Sequence, residues 1–153
     1  MPRSAWRRAR DHRMFVHRRD VQIQWGDCDP ANIVYYPRYF EMFDDSTSIL
    51  FEAAGFSKQD IIKKYGLVGI PMVDTRAKFH IASTHGDWIT IESRVESFKR
   101  SSFEVTHRIS IGGELAVKGS EIRVWAGRDP EDPAKLKGVP IPAAVIARFH
   151  AAA

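Results

Sequence analysis

The sequence predicts an α+β domain in which an antiparallel sheet is covered by one long helix. Two patterns predict it. Between residues 36 and 54 apolar side chains recur at steps of three and four, the period of a helix with one buried face. After Gly66 the chain turns to strand-like alternation broken by short polar or glycine turns, and stays so to about residue 126. Such a sheet has one apolar face, and one long aromatic helix can cover it.

The elements follow in order. A first strand is expected over 15–25, where V-Q-I-Q-W alternates and Phe15, His17, Arg19, Val21, Ile23 and Trp25 share one parity. Asp27, Cys28, Asp29 and Pro30 end it, because Pro30 has no amide proton and restricts the residue before it. Pro37 suits a first helical position. Tyr36, Tyr39, Phe40, Phe43, Thr47, Leu50, Phe51 and Ala54 then form the apolar face, and Gly55 is a natural stop. Ser57 is a cap for a short helix over 58–65, ended by Gly66. Strands are expected over 67–82 (with a bend at Gly69, Ile70 and Pro71), 87–98, 103–111 and 114–126. Gly112 and Gly113 form a two-residue hairpin signal. The stretch 129–138 is expected to be a loop and 140–151 a short closing helix. No internal repeat or interdomain linker interrupts 14–151, so one domain is expected there.

Composition narrows the class. At 153 residues, with 44% hydrophobic and 27% charged residues, the chain has the profile of one soluble domain. No run reaches the roughly 18 to 20 apolar residues that a membrane span needs. With one cysteine no intrachain disulfide forms, and a cytoplasmic location is expected. No cysteine pair or histidine cluster suggests a metal, and none is expected. The net charge of +4 belongs to residues 1–13, where five arginines face one aspartate; the other 140 residues balance. A nucleic-acid-binding body is therefore not expected. The first 13 residues share the Arg-rich, acid-poor composition of organelle transit peptides. The expectation is a disordered basic tail, or a gene start placed upstream of Met14.

A carboxylate just ahead of a helix N-terminus has two readings. Asp27 or Asp29 could cap the helix. Alternatively, an acid beside oriented N–H groups is the start of a site, since such groups hold a developing oxyanion. The run G-D-C-D-P-A-N-I-V-Y-Y-P-R-Y, followed by an aromatic helix with Asp44, resembles the 4-hydroxybenzoyl-CoA thioesterase family of hotdog-fold enzymes. The likeness extends through G-L-V-G-I-P-M-V after Tyr65, K-R-S-S-F at 99–103 and E-I-R-V at 121–124. It departs at Asn32, where the family has Gly, and at Tyr35 and Tyr36.

The resemblance implies the hotdog fold and an acyl-CoA thioesterase that needs no cofactor. It implies Asp29 as nucleophile or general base, and the backbone N–H of Tyr36 as oxyanion donor. It implies Asp44 as partner for the 4-hydroxyl of an aryl acyl group. Lys99, Arg100 and Ser101 would bind coenzyme A, with Arg123 and Arg128 as weaker candidates. Asp45 and Cys28 are read as a surface acid and a structural thiol. No Gly-x-Ser-x-Gly elbow is present, so a serine hydrolase is not expected. A homodimer or homotetramer is expected. Two other readings stand beside this one. The first is a thioesterase for short or branched aliphatic acyl-CoA or acyl carrier protein, although such relatives often carry His where this chain has Tyr36 and Pro37. The second is a non-catalytic acyl-CoA-binding module.

Overall fold

The alternating stretches form a five-stranded antiparallel sheet, here in a computed structural model that describes residues 14–150. The expected basic tail at 1–13 lies outside the described residues. The strands are β1 (Val16–Gln22), β2 (Met72–Phe79), β3 (Trp88–Phe98), β4 (Ser102–Ile111) and β5 (Glu114–Val124), and their order across the sheet is β1-β3-β4-β5-β2. Ile89, Ile91, Ser93 and Val95 of β3 are buried on one parity, and so are Phe103, Val105, His107 and Ile109 of β4. Gly112 and Gly113 turn β4 into β5 with φ of 56° and 80°, the positive values a tight hairpin favours.

The long helix α1 (Tyr36–Ala53) lies on that buried face. Pro37 stands at its start, and Gly55, with φ of 99°, follows its end. Its buried residues are Tyr39, Met42, Phe43, Ser46, Thr47, Leu50 and Phe51. The buried stripe therefore includes Met42 and Ser46 and leaves Tyr36 60% exposed, a small rotation from the face read in the sequence. Ser46 is inside because it accepts a hydrogen bond from Arg19 of β1 at 3.0 Å. The second helix, α2 (Lys58–Tyr65), has the cap and stop its sequence predicts: Ser57 Oγ accepts from the Asp60 N–H, and Gly66 is left-handed.

Several boundaries differ from expectation, among them the strand expected over 67–82, which forms as β2 only from Met72 to Phe79. The first strand ends at Gln22, and Trp25–Asp27 is a 3-10 turn closed by Asp27, whose carboxylate accepts from the Gln24 N–H at 2.8 Å. The last long strand breaks at Trp125. Part of the expected loop then becomes β7 (Leu136–Gly138), which pairs with β6 (Ala126–Arg128). Trp125 sits at the break, 1% exposed, with its ring tilted 60° to that of Tyr65 at 5.7 Å. The chain closes with α3 (Ala143–His150), which packs Phe149 against Phe15, Phe51, Phe56 and Phe98.

Candidate active site

Asp29 sits in a tight loop between the 3-10 turn and α1. Cys28 and Val34 form an antiparallel bridge, the Asp29 N–H donates to the Ile33 carbonyl at 2.9 Å, and the Asn32 N–H donates back to the Asp29 carbonyl at 2.9 Å. Asn32 has a φ of 63°, a left-handed conformation that Asn adopts more readily than most residues. Ser83 and Thr84 hold the loop from the segment before β3: Val34 N–H donates to the Ser83 carbonyl, and Thr84 Oγ1 donates to the Asn32 carbonyl at 2.6 Å.

Neither acid caps the helix. The cap residue of α1 is Tyr35, whose side chain makes no cap bond. Asp27 is engaged with Gln24, while Asp29 Oδ1 accepts from the Ala31 N–H at 2.8 Å. Among the described residues nothing accepts from the Tyr36 N–H and nothing donates to Asp29 Oδ2. So a half-buried carboxylate with an open oxygen stands on the same short junction as an open amide at a helix start. That arrangement suits attack on, or proton removal near, a carbonyl whose oxygen needs a donor. The loop and the elements that flank it carry exposed large apolar side chains: Trp25, Ile33, Tyr35 and Tyr36, with Trp88 at the start of β3. Cys28 Sγ lies 3.7 Å from the Gln24 carbonyl, consistent with a structural thiol.

Lys99, Arg100 and Ser101 are not brought to Asp29 within one chain. They form the turn from β3 to β4. Asp29 lies beyond the other end of β3, where Ile23 and Asp87 are joined at 2.8 Å. The 11 residues of β3 separate the two places, a span on the order of 30 Å at roughly 3.3 Å per residue. The turn is well fixed: Ile141 N–H donates to the Arg100 carbonyl and Trp125 N–H to the Ser101 carbonyl, at 2.8 and 2.7 Å.

Asp44 is exposed on α1 and is already paired: Arg123 Nη2 donates to its Oδ1 at 2.8 Å. Arg123, read in the sequence as a weak coenzyme A ligand, is buried. Its Nε donates to Glu121 Oε2 at 2.7 Å and its Nη1 to the Ile70 carbonyl at 3.1 Å. Arg128 is exposed, and its Nη1 donates to the Pro133 carbonyl. Asp45 is exposed, as its reading as a surface acid expects.

Below Arg123 lies a group of polar side chains that the reading of the sequence did not single out. His107 Nε2 is 2.5 Å from Glu121 Oε1, Ser93 Oγ is 2.7 Å from His107 Nδ1, and Thr47 Oγ1 donates to Glu121 Oε1 at 2.9 Å. Phe43 stacks on the imidazole at 4.8 Å and 7°. Burial is the largest single influence on the Glu121 carboxyl and pushes it upward. The hydrogen bond and charge of His107, the charge of Arg123 and the Thr47 hydroxyl together outweigh it, and the group sits below the ordinary carboxylate value. The signal was present in the sequence, since His107 and Ser93 fall on the apolar parities of their strands.

A largely apolar concavity of about 340 Å³ opens beside α2, lined among others by Ile61, Ile62, Val68, Ile70, Leu136 and Arg123. None of its lining residues belongs to the Asp29 loop. Among the described residues no group of three His, Cys, Asp or Glu is placed to hold a metal ion. No helix there is long and apolar enough to cross a membrane.

A family profile described as "Thioesterase-like superfamily" matches residues 23–149. The 4-hydroxybenzoyl-CoA thioesterase of Pseudomonas sp. (strain CBS-3) is 34% identical over 129 residues, covering 80% of this chain and 89% of that protein. A solved structure of an aspartate-to-asparagine mutant of 4-hydroxybenzoyl-CoA thioesterase, complexed with 4-hydroxybenzoyl-CoA, matches with a TM-score of 0.79 at 31% identity, over 88% of this chain and 98% of that one. The structure of a gentisyl-coenzyme A thioesterase matches with a TM-score of 0.73 at 27% identity, over 87% and 98% of the two chains. The hotdog architecture read in the sequence is thus the observed one.

Proposed function

The chain belongs to the thioesterase-like superfamily, within it to the 4-hydroxybenzoyl-CoA thioesterase family, and is an acyl-CoA thioester hydrolase; on that premise we propose that its substrate is a hydroxylated aryl-CoA of the 4-hydroxybenzoyl type. The observation that carries the reading is the junction at the start of α1, where the open Asp29 oxygen and the open Tyr36 N–H share one rigid loop. Support for the aryl group comes from aryl-CoA thioesterases among the relatives, such as the 4-hydroxybenzoyl-CoA and gentisyl-coenzyme A enzymes, and from Asp44, a carboxylate able to accept from a phenolic hydroxyl.

In this reading the thioester carbonyl oxygen faces the Tyr36 N–H. Asp29 either attacks the carbonyl carbon, giving an acyl-enzyme anhydride that water cleaves, or takes a proton from water as it attacks. In both routes the carbon–sulfur bond breaks, the sulfur leaves as coenzyme A thiolate, and the free acid forms. The α1 N-terminus stabilises the negative charge on oxygen through its free amide and dipole.

Lys99, Arg100 and Ser101 serve the coenzyme A of a neighbouring copy, because one chain holds them a sheet-length from its own Asp29. Strand β2 supports such an assembly. It is an edge strand, exposed along most of its length, and displays Met72, Val73 and Phe79. A homodimer or homotetramer follows, and the cytoplasm is the compartment that the single cysteine suits.

The test is the purified full chain with 4-hydroxybenzoyl-CoA, benzoyl-CoA and short or branched aliphatic acyl-CoAs, release of thiol being followed with a thiol-reactive dye. The highest kcat/KM is expected for the hydroxylated aryl thioester. Preference for an aliphatic acyl group would favour the second enzymatic reading. Binding without turnover would make the protein an acyl-CoA-binding module.

A further inference from the structure

A surface aspartate on a helix is free to change rotamer, yet specificity needs an acceptor held in one place. Asp44 has a side chain 53% exposed and one fixed contact, the guanidinium of Arg123. That guanidinium is immobile for reasons that lie beneath it. Its side chain is 5% exposed and meets three acceptors: Nε and Nη2 both reach Glu121 Oε2, Nη1 donates to the Ile70 carbonyl, and Nη2 also donates to Asp44 Oδ1. Glu121 is held in turn by His107 and Thr47, and His107 by Ser93 and by the face of Phe43. Ser93, Thr47, His107 and Glu121 are each at most 1% exposed.

Burying an ionised Glu and an Arg costs several kcal/mol per ion unless each is paired and bonded, and well-packed apolar residues often stabilise a core as well. Stability alone therefore does not call for this chain of groups. What it does deliver is direction. A planar fork is set from the core outward, with its last donor on Asp44 Oδ1, while among the described residues nothing donates to Asp44 Oδ2. The relay ends on the one helix acid that the proposed substrate would meet.

We propose that Arg123, fixed by Glu121 and His107, is a positioning residue for acyl-group specificity: it locks Asp44 so that the second carboxylate oxygen faces the acyl hydroxyl. The proposal rests on Asp44 being the acceptor for that hydroxyl. Arg123 itself touches no substrate. A Lys there keeps the charge but cannot make three bonds in three fixed directions.

The experiment measures kcat/KM for 4-hydroxybenzoyl-CoA and benzoyl-CoA, with a melting temperature for each protein. It compares wild type, Asp44→Ala, Arg123→Lys, Glu121→Gln and the double variant Asp44→Ala/Arg123→Lys. Asp44→Ala is expected to lower the ratio of the two efficiencies about tenfold to a hundredfold, the loss of a hydrogen bond to a charged group. Arg123→Lys is expected to lower the same ratio at least about fivefold, because its effect on specificity passes through Asp44, and to lower it no further once Asp44 is gone. A merely structural Arg123 would instead depress both efficiencies alike. If Asp44→Ala lowers the ratio and Arg123→Lys leaves it unchanged, the positioning role is overturned while the Asp44 reading stands. An unchanged ratio in Asp44→Ala overturns both. Should Arg123→Lys not fold, Glu121→Gln decides by the same ratio: a fall supports the relay, and an unchanged ratio in a folded protein overturns it.

Discussion

Replacing Gly119 by Ala should destabilise the protein through one identifiable contact. A Cβ at position 119 would stand 2.7 Å from Phe43 Cζ and 3.0 Å from Cδ2, with Cε2 closer still. Real carbon contacts of this kind need about 3.5 Å or more. Phe43 has little room to give. It is 1% exposed, and its ring is stacked on His107, which is itself tied to Ser93 and Glu121. Gly119 is thus what lets α1 lie close to β5. An added methyl in a packed core costs about 1–3 kcal/mol. In a chain of this length that is a fall in Tm of about 2–12 °C, at about 2–4 °C per kcal/mol. Melting should be followed at one fixed protein concentration, because association stabilises by mass action. The change should also be made in a Phe43→Leu background, where the smaller side chain relieves the contact. A cost that shrinks there by about 1 kcal/mol or more is the expected coupling. An unchanged Tm, or the same loss in both backgrounds, would refute the packing explanation.

Two further outcomes follow from the structure. Glu121 is held below the ordinary carboxylate value of 4.5 in the folded protein, so its contribution to stability is present above that pH and is lost as the pH falls through its folded pKa. The stability advantage of wild type over Glu121→Gln should accordingly shrink on acidification below about 4.5, and a pH-independent difference in Tm would contradict it. Light scattering at micromolar concentration should give twice or four times the 17.4 kDa chain mass, since β2 offers an open edge with exposed apolar residues. A mass of one chain would remove the route by which Lys99–Ser101 and Asp29 meet.

The fold was legible where the signal is local. Ser57 and Gly66 bound α2 because a cap and a left-handed stop are written in single residues. The hairpin at Gly112 and Gly113 is equally local. The helix face was legible to within a small rotation, and the residues that moved show why. Ser46 is buried because Arg19 reaches it from β1, and Met42 offers its carbonyl to the same guanidinium. Neither fact is visible in helical periodicity. The small β6–β7 pair is not legible because R-D-P-E-D-P reads as loop, and it is that loop, closed by the Asp129 N–H on the Lys135 carbonyl at 3.0 Å, that brings 136–138 alongside 126–128.

At the site, the acid loop ahead of α1 was legible as a motif, with Asn32 in the conformation that glycine favours. That neither Asp27 nor Asp29 caps the helix was not. Each acid instead closes its own short turn, a competition between local bonds that the residues alone leave open. The polar chain from Ser93 to Asp44 was least visible, because it joins four elements distant in sequence. His107 read as one polar residue among apolar neighbours, and E-I-R-V as part of a strand. Only the register of β3, β4 and β5 brings them under one helix.

Turnover of 4-hydroxybenzoyl-CoA by Asp29→Asn, measured beside wild type, tests the central reading most directly. Asn keeps the size of the side chain and can still accept from the Ala31 N–H, so the loop should remain folded with a nearly unchanged Tm. Loss of the positioned acid should lower kcat at least about a hundredfold, whether Asp29 attacks the thioester or activates water. Turnover within a few-fold of wild type would contradict the account and move the chemistry away from the loop that precedes α1.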